Sequence, residues 1–342
     1  MLDFFIFLIS LLILIKSSDI LVTSASSLAK SIGVSDFIIG LTVVAIGTSV
    51  PELAASVSSS LIGNSDLILG NLLGSNITNI GLILGFSAIL STIKINKLAL
   101  YRDGIFMLVS AVLFFLFALD KKITPYEGIV LILLFVLYVY DLIKNKPKHV
   151  FGYEHYIETF WSLINPSTYT RILDKAMSFK KPVFTNLIYL IFSIILIAAS
   201  SRFLVDSVSR IAINLGIHQT IMGFFLLALG TTIPELIVSI TSIYRKLNNI
   251  LIGNLIGSNI TNLMLIAGVS SVISPLAINK LALFYLIPFM IFLTLIFLIL
   301  IRTTFIFKKL EGFVFIVSTS SFTARLSSPI LIYVFTSQYL AL

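Results

Sequence analysis

The chain contains no cysteine, which excludes disulfide bridges and thiolate metal sites, and its three scattered histidines argue against a histidine-built zinc centre. Charge is also scarce. Only 11% of the 342 residues are Asp, Glu, Lys or Arg, where a soluble domain carries about a quarter. The opening MLDFFIFLISLLILIKSSD carries Asp3 but no early Lys or Arg and no small-residue cleavage site. It therefore reads as a retained first span and not as a signal peptide. What is abundant is apolar: 58% of residues are hydrophobic and the mean hydropathy is +1.09. That is more than a soluble core of this length can bury, so the chain is read as an all-α integral membrane protein.

Apolar stretches long enough to cross a bilayer run roughly over Leu2–Ser27, Phe37–Ile62, Leu67–Leu90, Gly104–Leu119 and Tyr126–Ile143. A polar linker with the only Trp follows, and then Phe184–Leu215, Thr220–Tyr244, Ile250–Ile273, Leu281–Ile301 and a last stretch from Gly312 onward. The expected organisation is a first five-helix repeat over 1–143, a linker over 144–183 and a second five-helix repeat over 184–342.

The two halves are copies. Gly40–Gly85 and Gly223–Gly268 align without a gap at an offset of 183, with 21 of 46 positions identical. Ser17-Ser18 aligns with Ser200-Ser201, Ile95–Leu100 reappears as Ile278–Leu283, and Glu127-Gly128 returns as Glu311-Gly312 at an offset of 184. An odd number of spans per copy makes the second enter the membrane from the opposite side, so ten transmembrane helices are expected in two inverted-topology repeats. Sixteen Lys and Arg fall on the linker side and four on the side of the N-terminus. This bias places the linker in the cytoplasm, both termini outside and the protein in the cell membrane. It also accounts for the net charge of +8 without invoking nucleic acid.

The duplicated stretches keep polar residues that a membrane span otherwise avoids: Gly-Thr-Ser/Thr-x-Pro-Glu, then Gly-Asn-Leu-x-Gly-Ser-Asn-Ile-Thr-Asn. Glu52 and Glu235 each follow a proline that removes a helix hydrogen bond and frees the carbonyl four residues back, Gly47 for Pro51 and Gly230 for Pro234. Thr48 and Ser49 share a helical face with Glu52, as Ser75 does with Asn79; Thr231, Thr232, Glu235, Ser258 and Asn262 repeat the set. Simpler readings exist. Gly70-x-x-x-Gly74 and Gly253-x-x-x-Gly257 suit close helix packing, and Asn76-Ile77-Thr78 and Asn259-Ile260-Thr261 match glycosylation acceptors but lie inside spans. Neither explains two intramembrane acids at equivalent positions, each costly unless neutralised. With no Arg or Lys in either stretch before Arg245, the missing partner is a cation. Hydroxyl, amide, carbonyl and carboxylate oxygens suit sodium or calcium.

GTSVPEL with GNLLGSNITN, and GTTIPEL with GNLIGSNITN, resemble the two alpha-repeats of the sodium/calcium exchanger family of the calcium/cation antiporter superfamily, over nearly the whole chain. The resemblance implies that spans two, three, seven and eight surround the ions while spans one and six slide across them. It implies ligands from Thr48, Ser49, Glu52, Ser75, Asn79 and the Ala45 carbonyl in the first half. In the second half it implies Thr231, Thr232, Glu235, Ser258 and the Ala228 carbonyl. Some microbial members carry Asp where this chain has Asn262, so the site here has two acids and not three. One calcium or two sodium ions then leave it neutral, whereas a third sodium leaves it at +1 and makes exchange voltage-dependent. If the family's three-to-one ratio holds, calcium uptake speeds up when vesicles are inside-positive.

The expected activity is sodium-driven calcium antiport by alternating access, a carrier and not an enzyme. Its only small-molecule partners are the transported Ca2+ and Na+, without a cofactor, and no protein partner is legible. A proton-coupled or other divalent cation antiporter is the alternative, resembled less because those repeats usually carry a Glu soon after Gly-Asn, where Leu72-Leu73-Gly74 stands. A cation channel is the alternative from another class. Two further expectations concern single residues. Asp19 and Arg202, equivalent in spans one and six, would pair in one state. Arg325 predicts a tenth span that is short, shifted or lodged against protein.

Overall fold

The computed structural model describes residues 2–97, 99–144, 181–214 and 219–326, and within these the side chains of 212–229 fall outside the description, as does most of the 144–183 linker. Its helices are α1 (Leu2–Ile32), α2 (Asp36–Thr48), α3 (Val50–Leu61), α4 (Ser65–Leu90), α5 (Leu100–Ala118), α6 (Pro125–Lys144), α7 (Lys181–Asn214), α8 (Gln219–Tyr244), α9 (Asn248–Ile273), α10 (Ala282–Thr304) and α11 (Lys309–Leu326). Among the described residues seven helices are long and apolar enough to cross a membrane, or eight when the bent pair α2/α3 is taken as one span.

Burial sorts them. The most apolar window of α9 is 94% buried and that of α4 78%, against 33% for α1 and 28% for α7. So α4 and α9, which carry the Gly-Asn…Asn motifs, form the centre, and α1 lies along α7 at the periphery. Phe4, Phe5, Ile9 and Leu12 on α1, with Phe184, Ile191 and Ile195 on α7, are exposed, the pattern of a surface that faces lipid and not water. Local chemistry places the helix starts: the Ser35 hydroxyl accepts from the Ile38 amide at 3.3 Å, and the Asn64 side chain accepts from Leu67 at 3.2 Å.

Tight contacts recur with the halves exchanged. Gly85 on α4 meets Gly312 on α11, and Gly268 on α9 meets Gly128 on α6, each closely enough that a methyl group would strike the facing carbonyl. Two-residue strands follow α4 (β1, Ile93–Lys94), α5 (β2, Lys122–Ile123), α9 (β3, Leu276–Ala277) and α10 (β4, Ile306–Phe307). β1 pairs antiparallel with β4 and β2 with β3, in registers that the sequence offset converts into one another. Phe106 stacks on Tyr138 at 4.0 Å between centroids, and the equivalent Phe289 stacks on Phe322 at 3.7 Å.

Several expectations change on contact with this fold. Both prolines were expected to interrupt their helices, yet only the first does: α2 and α3 meet at 44° at Ser49, while Pro234 lies inside an unbroken α8. One local contact differs between them: the Gly230 carbonyl freed by Pro234 accepts from the Ser201 hydroxyl at 3.4 Å, whereas the equivalent Ser18 hydroxyl is buried without a partner. Asp19 is engaged by Arg245, in a bidentate pair with both contacts at 2.6 Å, and not by Arg202. Arg102, counted above with the linker-side cations, is buried and forks onto Asp103 at 2.9 and 3.1 Å, with the Tyr138 hydroxyl donating to the same carboxylate at 2.8 Å. Arg325 is exposed near the end of the described part of α11, and the continuation of the tenth span lies outside the described residues.

Candidate cation site

The bend at Ser49 turns the chain so that Thr48 and Ser49 face the second repeat. Thr48 donates to the Asn254 side-chain oxygen at 3.1 Å and lies 3.5 Å from the Ser258 hydroxyl, both on α9. Ser49 donates to Glu235 Oε1 at 3.4 Å. From the other side, Thr231 donates to Asn71 Oδ1 at 3.1 Å and stands 3.3 Å from the Ser75 hydroxyl. Thr48 and Thr231 are repeat mates, as are Asn254 and Asn71, so each repeat's threonine is held by the other repeat's asparagine. Segments α2/α3, α4, α8 and α9 are thereby laced around one buried point.

Glu52 and Glu235 sit there with 1% of their surface exposed, close enough for each carboxylate to feel the other's charge. Both Glu52 oxygens and Glu235 Oε2 have no hydrogen-bond partner. Nor do either amide atom of Asn79, or Asn262 Oδ1. An unpartnered buried polar group costs about 1–3 kcal/mol, and more when charged, so two carboxylates left this way call for a cation. Asn79 and Asn262 fall in repeat-equivalent wide turns with i→i+5 bonding, Asn79–Ile83 and Thr261–Ile266. Such π-turns interrupt helices most often at functional positions.

Of the expected ligands, hydrogen bonds or charge thus join Thr48, Ser49, Glu52, Ser75, Thr231, Glu235 and Ser258, while Asn79 and Asn262 are buried one helical turn beyond Ser75 and Ser258 with unpartnered amide oxygens. The Ala45 carbonyl accepts from the Ser49 amide at 3.1 Å and from the Thr48 hydroxyl at 3.3 Å, which orders the hydroxyl beside the acids. Thr232 is buried and borders an apolar cavity of about 410 Å3 with Thr78 and Leu236. Ala228 lies on the part of α8 whose side chains fall outside the described residues.

Sequence reasoning passed over three residues. Asn71 donates to the Glu52 backbone carbonyl at 3.0 Å and to the Ser56 hydroxyl at 2.9 Å, besides holding Thr231. Asn254 holds Thr48. Asn76 accepts from Asn262 Nδ2 at 3.0 Å. All three lie inside the duplicated Gly-Asn and Ser-Asn pairs, a signal that was present but went to glycine packing and to the last asparagine of each motif.

A second cavity, of about 620 Å3, leads to Thr231 between α3 and α7, past Pro51, Ser58, Ser201, Arg202 and Asp206. It is mostly apolar, with Ser58, Ser201, Arg202, Asp206 and Thr231 as its polar side chains.

The chain is similar to known proteins over most of its length. Residues 2–144 and 185–337 match the family described as sodium/calcium exchanger protein. The sodium/calcium exchanger MaX1 of Methanosarcina acetivorans is 38% identical over 337 residues, covering 91% of this chain and 95% of that protein. The inner membrane protein YrbG of Escherichia coli is 32% identical over 276 residues, 80% of this chain and 81% of its own. Among solved structures, the sodium-calcium exchanger NCX_Mj soaked with 2.5 mM Na+ and 0.1 mM Ca2+ superposes with a TM-score of 0.79 at 28% identity, over 96% of this chain and 99% of the other. With both repeats matched and two buried acids set among neutral oxygens, this multi-pass membrane protein belongs to the sodium/calcium exchanger family.

Proposed function

We propose that the protein exchanges sodium for calcium across the cell membrane by alternating access, as a carrier and not an enzyme. The observation that carries this reading is the pair Glu52 and Glu235, fully buried, largely unpartnered and ringed by hydroxyl and amide oxygens. Calcium takes six to eight oxygen ligands, carboxylates preferentially, and two carboxylates neutralise one Ca2+ or two Na+. The ligand set is Thr48, Ser49, Glu52, Ser75, Asn79 and the Ala45 carbonyl with Thr231, Thr232, Glu235, Ser258, Asn262 and the Ala228 carbonyl.

The ten spans are α1, α2/α3, α4, α5 and α6, then α7 to α11, in two inverted repeats separated by a linker over 144–183. Support comes from the exchanged contacts. Strands after the third and ninth spans pair with each other, as do those after the fourth and eighth, which requires each pair to emerge at one membrane face. With the linker cytoplasmic and both termini outside, α3 runs outward from Ser49, so the cavity past Ser58, Arg202 and Asp206 opens to the outside. The Asp19–Arg245 pair then clamps α1 to the cytoplasmic end of α8, and closing one side while opening the other requires α1 and α7 to shift against the core.

Sodium-loaded vesicles containing the purified protein should take up radioactive calcium when sodium is diluted outside, and stop when the gradient is removed. Uptake driven equally by a pH jump without sodium would overturn sodium coupling. Orientation is tested separately. In this cysteine-free chain, Tyr153→Cys should react with an impermeant thiol reagent only after cells are opened, while Ile62→Cys, on an exposed residue just past α3, should react in intact cells. The reverse pattern would invert the assignment.

A further inference from the structure

At position 262 the duplicated motif ends in an amide, and an amide helps a cation only if its oxygen, and not its NH2, faces the ion. Nothing intrinsic to asparagine chooses between the two ends, because they have the same shape and opposite hydrogen-bonding character. The choice has to come from a neighbour.

The hydrogen bonds around Asn262 make that choice in two steps that start from a backbone atom. The Asn259 carbonyl can only accept, and it lies 3.3 Å from one end of the Asn76 side chain, so that end is the NH2. The other end of Asn76 is then an oxygen, which can only accept. It stands 3.0 Å from Asn262, so the Asn262 atom facing it is the NH2. The remaining end of Asn262 is an oxygen. It is buried, has no hydrogen-bond partner, and lies one turn beyond Ser258 on α9. All three asparagine side chains are 2% exposed or less, so water does not compete for these positions.

The opposite repeat lacks the relay. Asn259, the mate of Asn76, turns its own NH2 to the Leu255 carbonyl at 2.7 Å and leaves its oxygen without a partner. Asn79, the mate of Asn262, has neither amide atom paired. The ordering of Asn262 therefore comes from the side chain of Asn76 and not from the repeated backbone.

We propose that Asn76 is a positioning residue that fixes Asn262 with its carbonyl oxygen, and not its NH2, toward the transported cation. The proposal rests on the exchanger reading above. Without Asn76, Asn262 turns freely and its NH2 opposes the cation for part of the time.

The test is a double-mutant cycle read by calorimetric calcium binding to the purified protein. Asn76→Leu, close in volume but without an acceptor, should weaken calcium binding about tenfold, the scale of a hydrogen bond to a charged group. In an Asn262→Asp background the same substitution should change affinity by less than about twofold, because a carboxylate presents oxygen either way round. An equal loss in both backgrounds, or no loss in the first, would overturn the proposal. Asn76→Ala runs in parallel in case leucine prevents folding. The unmodified protein supplies an independent measurement. With 13C-labelled asparagine, calcium should shift side-chain carbonyl bands in the infrared difference spectrum, and Asn262→Asp should remove the part of that shift that Asn79 does not supply; identical asparagine spectra from the parent and Asn262→Asp would also overturn the proposal. If the parent binds calcium but does not exchange it for sodium, the exchanger reading fails while the cycle still reports on Asn76.

Discussion

Replacing either Glu52 or Glu235 by glutamine should abolish calcium exchange and leave a folded protein in the membrane. The substitution conserves volume but exchanges a charge for a dipole, and one of its two ends becomes a donor that repels cations. Removing one member of a buried charge pair costs roughly 3–5 kcal/mol, which at about 1.4 kcal/mol per decade is a loss of two to three orders of magnitude in affinity. Fold should survive because the groups around the acids are hydroxyls, which donate to an amide oxygen as they do to a carboxylate. Glu235 accepts a long 3.4 Å bond from Ser49, which a glutamine carbonyl accepts as well. Without cations the variants should melt no lower than the parent, since a glutamine fills the same volume and costs less to bury than a carboxylate. Calcium should raise the melting temperature of the parent and of neither variant, because a ligand stabilises only the state that binds it. Protons compete for the same oxygens, so calcium affinity of the parent should fall as pH falls. Wild-type flux through purified Glu235→Gln would remove the acids from the site.

Much of this site was legible because a membrane span tolerates so few polar residues that each one carries information. The duplication of Glu52 as Glu235 and of Ser75 as Ser258, in a chain with 11% charge, left little else for those side chains to do. The all-helical membrane reading rests on the same economy of polar groups, and seven or eight of the described helices are long and apolar enough to cross a membrane. What was not legible depends on tertiary detail. Pro51 and Pro234 look alike in sequence, yet one helix bends and the other does not, and a hydroxyl on α7 reaches one freed carbonyl while its mate on α1 has no partner. Asn71, Asn254 and Asn76 sit in view within the motifs, but their work is to hold a residue of the opposite repeat. Sequence periodicity relates residues along one helix and is silent about partners some 160 to 210 positions away. Asp19 was matched to Arg202 by the repeat offset, and the fold matched it to Arg245, which the offset pairs with the apolar Ile62.

Gly257→Val should be the most damaging substitution outside the ligands, and its effect should reach the ligands through the backbone. A β-carbon at Gly257 would lie 2.3 Å from the Leu41 carbonyl oxygen and 2.6 Å from the Ala45 β-carbon, and one at Gly253 would lie 2.4 Å from the Phe37 carbonyl oxygen. These are backbone and short-side-chain neighbours with no rotamer to retreat into, so α2 and α9 must separate. Separation by even 1 Å, a shift on the order of a single methyl contact, would break the 3.1 Å bond from Thr48 to Asn254 and part Thr48 from Ser258, which lies next to Gly257 in sequence. Overpacking costs about 1–3 kcal/mol where surroundings yield, and here they do not. The expected result is loss of the monodisperse folded protein for Gly257→Val, with Gly257→Ala folding but binding calcium at least about tenfold more weakly, the equivalent of 1.4 kcal/mol. Gly63 is the control. It has a left-handed backbone, φ +69°, and open space around it, and its repeat mate Lys246 adopts φ +57° with a full side chain. A residue other than glycine is therefore already accommodated at that turn, and Gly63→Lys should leave melting and calcium affinity nearly as they are. If Gly257→Val melted with the parent while Gly63→Lys collapsed, close approach of α2 and α9 would not be what holds the two repeats around the cation.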